Sequence, residues 1–143
     1  MPDDLPTVLV ACVRNAGRSQ IAAALLVHHA ADRVEVRSGG SEPARQVHPE
    51  VAEVLAERAL SAYGSPRAWT DDDVRAADVV ITMGCGDTCP YFPGKRYEDW
   101  DVADPGGEDI PRVREIVDDI DARVQRLLMS LGVAPASGSA TRG

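Results

Sequence analysis

The order of apolar and polar positions along the 143-residue chain predicts strands that alternate with helices. Four short segments predict strands: 7–12, 34–38, 79–83 and 96–100. The first and third are apolar throughout, which is typical of strands buried on both faces, and the second ends at Gly39-Gly40. Strands separated by helical segments predict a parallel sheet covered on both faces.

Four segments predict helices, at 19–31, 49–60, 70–77 and in a C-terminal stretch that ends near 131. Thr70, with Asp73 three residues later, is typical of a helix N-cap. Pro49 and Pro111 each suit the first turn of a helix. Eight apolar residues of the last helix fall on one face: Val113, Ile116, Val117, Ile120, Val124, Leu127, Leu128 and Leu131.

These elements predict an α/β fold, a three-layer α/β/α sandwich with a central four-stranded parallel sheet. The length fits one compact domain with its own core. We expect that domain to cover 1–131 and the small, polar stretch 132–143 to be a disordered tail.

Composition and charge narrow the function classes. The net charge of −8 argues against a nucleic-acid partner, which normally requires a basic face. The acidic excess lies mostly in 71–143, so we expect any anion to bind through the first half of the chain.

No apolar run approaches the roughly 20 residues that span a membrane, so we expect no membrane partner. The acidic start of the chain does not resemble a secretory signal, and we expect a cytoplasmic protein with reduced cysteines.

The segment between the first strand and the first helix carries the sharpest chemical signal. A chain wrapped around an anion points its backbone N–H groups inward, and the following helix adds its positive end. Arg18 supplies a planar fork for two oxyanion oxygens, and Ser19 is placed to hydrogen-bond a Cys12 thiolate. The predicted oxyanion loop after Cys12 consists of Val13, Arg14, Asn15, Ala16, Gly17, Arg18 and Ser19.

Two other interpretations of the cysteines are open at this point. Cys12 is equally typical of a buried residue at a strand end, although the strand–loop–helix context favours a nucleophile. Cys85 and Cys89 could join Cys12 and a histidine in a zinc site, but the histidines lie on other elements and paired ligand clusters are missing. We therefore expect no metal and no cofactor.

The loop, its place near the N-terminus and the later Asp104-Pro105 pair resemble the low-molecular-weight protein tyrosine phosphatase superfamily. The resemblance implies that Cys12 is the nucleophile, that Arg18 clamps the oxyanion and that Asp104 is the general acid. Tyrosine phosphatases commonly place aromatic walls just after the Asp-Pro pair, where this chain has Gly106-Gly107. A small inorganic oxyanion needs no such wall.

Cys85 and Cys89 directly follow the third predicted strand, which should end at the same edge of the sheet as the Cys12 loop. A thiol at that edge can attack the Cys12 sulfur, and a second can take over the disulfide. The arrangement is similar to the three-cysteine, thioredoxin-coupled arsenate reductases. That resemblance implies that Cys12 attacks arsenate, that Cys85 resolves the adduct with release of arsenite, and that a Cys85–Cys89 disulfide is reduced by thioredoxin.

The chain departs from that branch in several places. Its second and third cysteines have three residues between them, where better-known members have about six. Arg14 occupies a loop position that is usually glycine. Some members bind potassium beside the loop; Asn15 and Ser38 resemble two of its ligands, but Ala23 stands where a glutamate ligand is expected.

Three alternative functions stay open from the sequence. A low-molecular-weight protein tyrosine phosphatase would use Cys12, Arg18 and Asp104 and would not need Cys85. An arsenate reductase coupled to a low-molecular-weight thiol would not need Cys89. A non-enzymatic oxyanion sensor would couple to nucleic acid, which the net charge disfavours.

Overall fold

A computed structural model describes residues 5–84 and 94–133. The strands and helices have these bounds: β1 Thr7–Cys12, α1 Arg18–Ala30, β2 Glu35–Gly40, α2 Pro49–Glu57, α3 Asp71–Ala76, β3 Val79–Met83, β4 Arg96–Asp99 and α4 Ile110–Ser130. A short 3₁₀ turn, Ala31–Arg33, joins α1 to β2. The alternation of strands and helices predicted from the sequence is confirmed.

The strands form one four-stranded parallel sheet in the order β2-β1-β3-β4. β1 and β3 are buried along their whole length, as their unbroken apolar runs predict. β4, with three charged residues and the half-buried Tyr97, lies at one edge of the sheet and is the most exposed of the four strands. The predicted fold class is therefore confirmed.

Helices cover the sheet unequally. The larger core contains alternate residues of β1 and β3, such as Val8, Val10 and Ile81, together with the apolar faces of α1, α2 and α4. A smaller cluster, with Leu9 and Val80, packs under α3 on the other face. Burial of this much apolar surface on both faces is the main force that holds the sheet in place.

The helix signals are confirmed in detail. Thr70 and Asp73 form a reciprocal capping box at the start of α3. Asp109 caps α4, whose predicted apolar face is buried except for the half-buried Leu131. In the part of the chain that the structure describes, no helix is both long and apolar enough to cross a membrane.

The structure corrects the predicted end of the second strand. β2 continues through Gly39 and Gly40 instead of ending before them. A Cβ on Gly40 would lie 2.5 Å from the carbonyl oxygen of Val13, and one on Gly39 would lie 2.6 Å from the backbone nitrogen of Trp69. The two glycines therefore serve the close approach of neighbouring backbone, which a pattern of apolar residues does not reveal.

Other boundaries differ by one to three residues. α1 begins at Arg18, one residue earlier than predicted, and α2 ends at Glu57, because the backbone reverses at Ala59 with φ of 61°. α3 and β4 each end one residue earlier than predicted. Val133 is buried against the core, two residues beyond the predicted domain end; the remainder of the predicted tail, 134–143, lies outside the described residues.

Candidate active site

The site lies where the order of the strands reverses. β1 is flanked by β2, which follows it in the chain, and by β3, so its carboxyl end opens into a crevice between two diverging connections. The register places Cys12 between Gly40 of β2 and Met83 of β3. Ligands of open parallel sheets bind at such a point.

The loop after Cys12 is held from outside through its carbonyl groups. The carbonyls of Cys12, Val13, Arg14 and Ala16 accept hydrogen bonds from backbone N–H groups of the segment 41–48, at 2.8 to 3.2 Å. The backbone N–H of Asn15 points to the inside of the loop, where it donates to the Cys12 sulfur. α1 starts at Arg18 without a side-chain cap, which leaves its positive end available to an anion.

The thiol of Cys12 is nearly enclosed, with 3% of its surface exposed. Its sulfur lies 3.0 Å from the hydroxyl oxygen of Ser19 and accepts the backbone N–H of Asn15 at 3.2 Å. The side-chain amide of Asn15 donates to the same hydroxyl oxygen at 2.7 Å, so the hydroxyl hydrogen is free to point at the sulfur. The Cys12 sulfur is therefore in contact with a backbone N–H group and a side-chain hydroxyl group.

Asn15 forms hydrogen bonds to several segments that surround the loop. It is fully buried with φ of 52°, a left-handed conformation that asparagine tolerates better than most residues. Its amide nitrogen also donates to Ser38 at 2.6 Å, and its amide oxygen accepts the backbone N–H of Arg67 at 3.0 Å. Gln20 binds the Asn15 backbone carbonyl at 3.1 Å and accepts the N–H of Tyr63 at 2.8 Å. This network fixes the loop from three parts of the chain.

Arg18 and Asp104 meet across the loop. One guanidinium nitrogen lies 3.8 Å from the carboxylate of Asp104, and another donates to the carbonyl of Val102 at 3.4 Å. Arg18 is 16% exposed and Asp104 is 61% exposed, so the arginine lines the crevice while the aspartate stands at its mouth. The Asp104 carboxylate also accepts the backbone N–H of Gly106 at 2.9 Å, which orients it.

Because Gly84 has no side chain, the Arg18 guanidinium can occupy the space beside its Cα atom. A Cβ on Gly84 would lie 2.7 to 2.9 Å from three atoms of that guanidinium, and the backbone there has φ of 84°. The end of β3 therefore forms one side of the arginine site.

The structure brings together the predicted residues Cys12, Arg18, Ser19 and Asp104. Arg14 is exposed at the loop surface. The predicted resolving cysteines, Cys85 and Cys89, lie outside the described residues.

Sequence reasoning missed three contributors to the site, namely Gln20, Arg67 and Gly84. Gln20 carries a weak signal, since it is a polar residue in an Ala-rich helix that turns out to be fully buried. Arg67 and Gly84 carry none, because their contacts join parts of the chain that only folding brings together.

The residues beside the loop do not fit a potassium site. The Asn15 amide nitrogen, a donor, faces Ser38, and the buried Ala23 has no side-chain oxygen. Within residues 5–84 and 94–133 no cluster of three or more His, Cys, Asp or Glu side chains is arranged to hold a metal ion.

A buried thiol beneath a predicted oxyanion loop, with an arginine beside the loop and an acidic residue at the mouth, is typical of cysteine-dependent enzymes that act on oxyanions. The family model described as low molecular weight phosphotyrosine protein phosphatase matches residues 7–135. The chain belongs to this family.

Proteins similar to this chain are named for two different activities, arsenate reduction and arginine dephosphorylation. A Corynebacterium glutamicum thioredoxin-dependent arsenate reductase is 52% identical with a TM-score of 0.80; the match covers 90% of this chain and 62% of that one. A Halobacterium salinarum protein with a provisional arsenate reductase name is 39% identical over 79% of this chain and 84% of its own. An arginine phosphatase from Geobacillus stearothermophilus is 26% identical with a TM-score of 0.79, over 89% of this chain and 93% of its own.

Proposed function

We propose that the protein is an arsenate reductase that converts arsenate to arsenite through a thiol relay from Cys12 to Cys85 and Cys89, with thioredoxin as the reductant. The observation that carries this proposal is the register of β1 and β3, in which Cys12 lies beside Met83. Cys85 comes two residues after Met83 in the chain, and the intervening Gly84 already borders Arg18. The relatives that are named arsenate reductases support the same function.

The first step is a displacement at arsenic. The Cys12 thiolate attacks the arsenic atom, a sulfur–arsenic bond forms, and one oxygen leaves as water after it takes a proton from the Asp104 carboxyl. Arg18 and the loop N–H groups hold the remaining oxygens and the charge that develops on them. Arsenic is still pentavalent after this step.

The second step transfers the electrons. The Cys85 thiolate attacks the Cys12 sulfur, a disulfide forms, and the electron pair of the sulfur–arsenic bond stays on arsenic, which leaves as trivalent arsenite. The Cys89 thiolate then attacks the Cys85 sulfur and releases Cys12 as a thiolate. A dithiol of thioredoxin reduces the resulting Cys85–Cys89 disulfide.

The test is arsenate-dependent NADPH oxidation in the presence of thioredoxin and thioredoxin reductase. We expect turnover by the wild type and none by Cys12→Ser, Cys85→Ser or Cys89→Ser. If Cys85→Ser and Cys89→Ser both kept full turnover, the relay would be wrong. Activity of Cys89→Ser restored by glutathione and glutaredoxin would instead support the low-molecular-weight thiol alternative.

A phosphatase is the second candidate, because the site holds the nucleophile, clamp and acid that phosphate transfer also needs, and because one structural relative is a phosphatase. The chain past Asp104-Pro105 argues against a large substrate, since Gly106-Gly107 offers no side chain to hold one. Hydrolysis of p-nitrophenyl phosphate that is faster than arsenate reduction and is unaffected by Cys85→Ser would favour this candidate.

A further inference from the structure

His48 stands at the start of α2, and its backbone has a structural role there. Its N–H donates to the carbonyl of Ala16 at 3.0 Å, and its carbonyl accepts the N–H groups of Val51 and Ala52 at 3.0 and 3.1 Å. The His48 side chain, however, makes no cap hydrogen bond to the helix. The start of α2 therefore accounts for the backbone hydrogen bonds of His48 but not for the position of its imidazole ring.

The ring lies between the oxyanion loop and the segment that carries Asp104. Its Cδ2 atom is 3.2 Å from the point where a Cβ on Gly17 would stand. Its Nε2 atom is 3.0 Å from the corresponding point on Gly106, and the Asp104 Oδ1 atom is 3.3 Å from that same point. The imidazole and the carboxylate thus border one small space at the mouth of the site, which glycine at position 106 keeps open.

Asp104 needs a supply of protons if it is to act as an acid. The guanidinium of Arg18 lies 3.8 Å from its carboxylate, and the N–H of Gly106 donates to that carboxylate at 2.9 Å. Each turnover removes one proton from this carboxyl group, and that proton must be replaced before the next turnover. An imidazole exchanges protons readily between pH 5 and 8, and His48 is partly exposed to solvent.

We propose that His48 is a positioning residue for Asp104 and relays protons from solvent to its carboxylate. This proposal rests on the proposed function, in which Asp104 protonates the departing oxygen. In each turnover the His48 imidazolium gives one proton to the Asp104 carboxylate through one water molecule in the space that Gly106 keeps open. Asp104 passes that proton to the oxygen that leaves arsenic as water, and His48 takes another from solvent, so the relay involves no change of oxidation state.

Charged groups lie near the ring. Asp104, on the segment after β4, borders the same small space as the ring, and Arg18 lies 3.8 Å from Asp104 at the start of α1. Glu50 is in the first turn of α2, two residues after His48. An imidazolium at this place has a carboxylate at hand that can accept its proton.

The kinetic test compares His48→Asn with the wild type between pH 5.5 and 8.5 in the coupled arsenate assay. Asparagine is a good N-cap residue and preserves the start of α2, but it cannot exchange a proton. We expect kcat of His48→Asn at pH 7 to be about tenfold below that of the wild type, with KM changed less than about twofold. We also expect wild-type kcat to decline at alkaline pH and kcat of His48→Asn to show no such decline. His28→Asn, on the exposed surface of α1, is the matched control and should behave as wild type.

Two further variants separate a relay from a structural effect. Added imidazole should restore several-fold activity to His48→Ala and none to Asp104→Ala. In an Asp104→Asn background, His48→Asn should have no additional effect on kcat. An unchanged kcat in His48→Asn, or an equal loss at every pH without rescue by imidazole, would overturn the proposal.

A spectroscopic test does not depend on turnover and so separates this proposal from the proposed function. In ¹H–¹⁵N spectra of the three histidine rings, Asp104→Asn should change the chemical shifts of the His48 ring signals and leave those of the His28 ring signals in place. Absence of arsenate reduction together with this coupling would contradict the function alone. Absence of the coupling would contradict the relay whatever the enzyme reduces.

Discussion

Gly84 and Arg18 contact each other so closely that no side chain fits between them: a Cβ on the glycine would lie 2.7 Å from an arginine nitrogen. This contact joins the end of β3 to the oxyanion loop. It also places Gly84, the residue before Cys85 in the chain, against the arginine that is proposed to clamp the substrate. The clamp thus depends on the smallest residue available, at a position where the backbone also has positive φ.

The contact predicts that Gly84→Ala weakens anion binding. The new methyl group must displace the guanidinium, so we expect the Kd for phosphate, measured by calorimetry, to rise at least about tenfold. Gly94→Ala is the matched control, since Gly94 has a similar φ of 88° but no atom of residues 5–84 or 94–133 lies within 4 Å of its would-be Cβ. Both variants should lose a similar amount of stability from backbone strain, and equal phosphate binding by the two would contradict this role of Gly84.

Ser19 is expected to sustain the reactivity of Cys12 through their 3.0 Å contact. Ser19→Ala removes a hydrogen bond to a charged group, and we expect alkylation of Cys12 by iodoacetamide at pH 7 to slow by about tenfold. The measurement belongs in a Cys85→Ser, Cys89→Ser background, where Cys12 is the remaining thiol. Ser130→Ala, at the end of α4, should leave the rate unchanged; a Ser19→Ala rate equal to it would show that the hydroxyl does not act on the sulfur.

Two substitutions at Asn15 separate its side-chain network from its backbone conformation. Asn15→Gly loses the hydrogen bonds to Ser19, Ser38 and Arg67 but relaxes at φ of 52°. Asn15→Ala loses the same bonds and remains strained. We expect the free energy of unfolding in urea to fall by about 2 kcal/mol in the first and about 3 kcal/mol in the second. Equal losses would mean that strain at this position is negligible.

Low pH should weaken the ion pair of Asp73 with Arg67, a residue that also binds the loop at Asn15. Burial alone would raise the pKa of Asp73, but hydrogen bonds from the backbone of Thr70 and from Arg67 outweigh it, and the pKa lies below its ordinary value of 3.8. The ionised carboxylate therefore stabilises the fold above about pH 4, and that contribution is lost as the pH falls further. Arg67, which Asp73 binds at 2.8 Å, also holds Asn15 and the carbonyl of Ser38.

We expect Asp73→Asn to lower the free energy of unfolding by about 2 kcal/mol at pH 7 and by progressively less below pH 4. Asp72→Asn is the control, because Asp72 forms an exposed ion pair with Arg75. Its effect should stay below about 0.5 kcal/mol at both pH values. A loss in Asp73→Asn that does not vary with pH would show that the charge of Asp73 is not what stabilises the fold.

Much of the fold followed from local patterns. The apolar runs of β1 and β3, the capping box at Thr70 and the apolar face of α4 each depend on residues close together in the chain, and each is confirmed. The boundaries that differ, at Gly40 and Glu57, depend on contacts or on a backbone reversal that local periodicity does not contain. Sequence spacing alone cannot report which distant backbone a glycine must let approach.

The site shows the same division. The sequence by itself determined the position of the loop from Cys12 to Ser19, because the strand, the loop and the helix start are consecutive in the chain. Tertiary structure decided which residues support that loop: Arg67, Gly84 and His48 come from three different segments and meet only when the parallel strands align their carboxyl ends. Their roles rest on distances of about 3 Å between atoms far apart in sequence, and packing of the sheet and helices sets those distances.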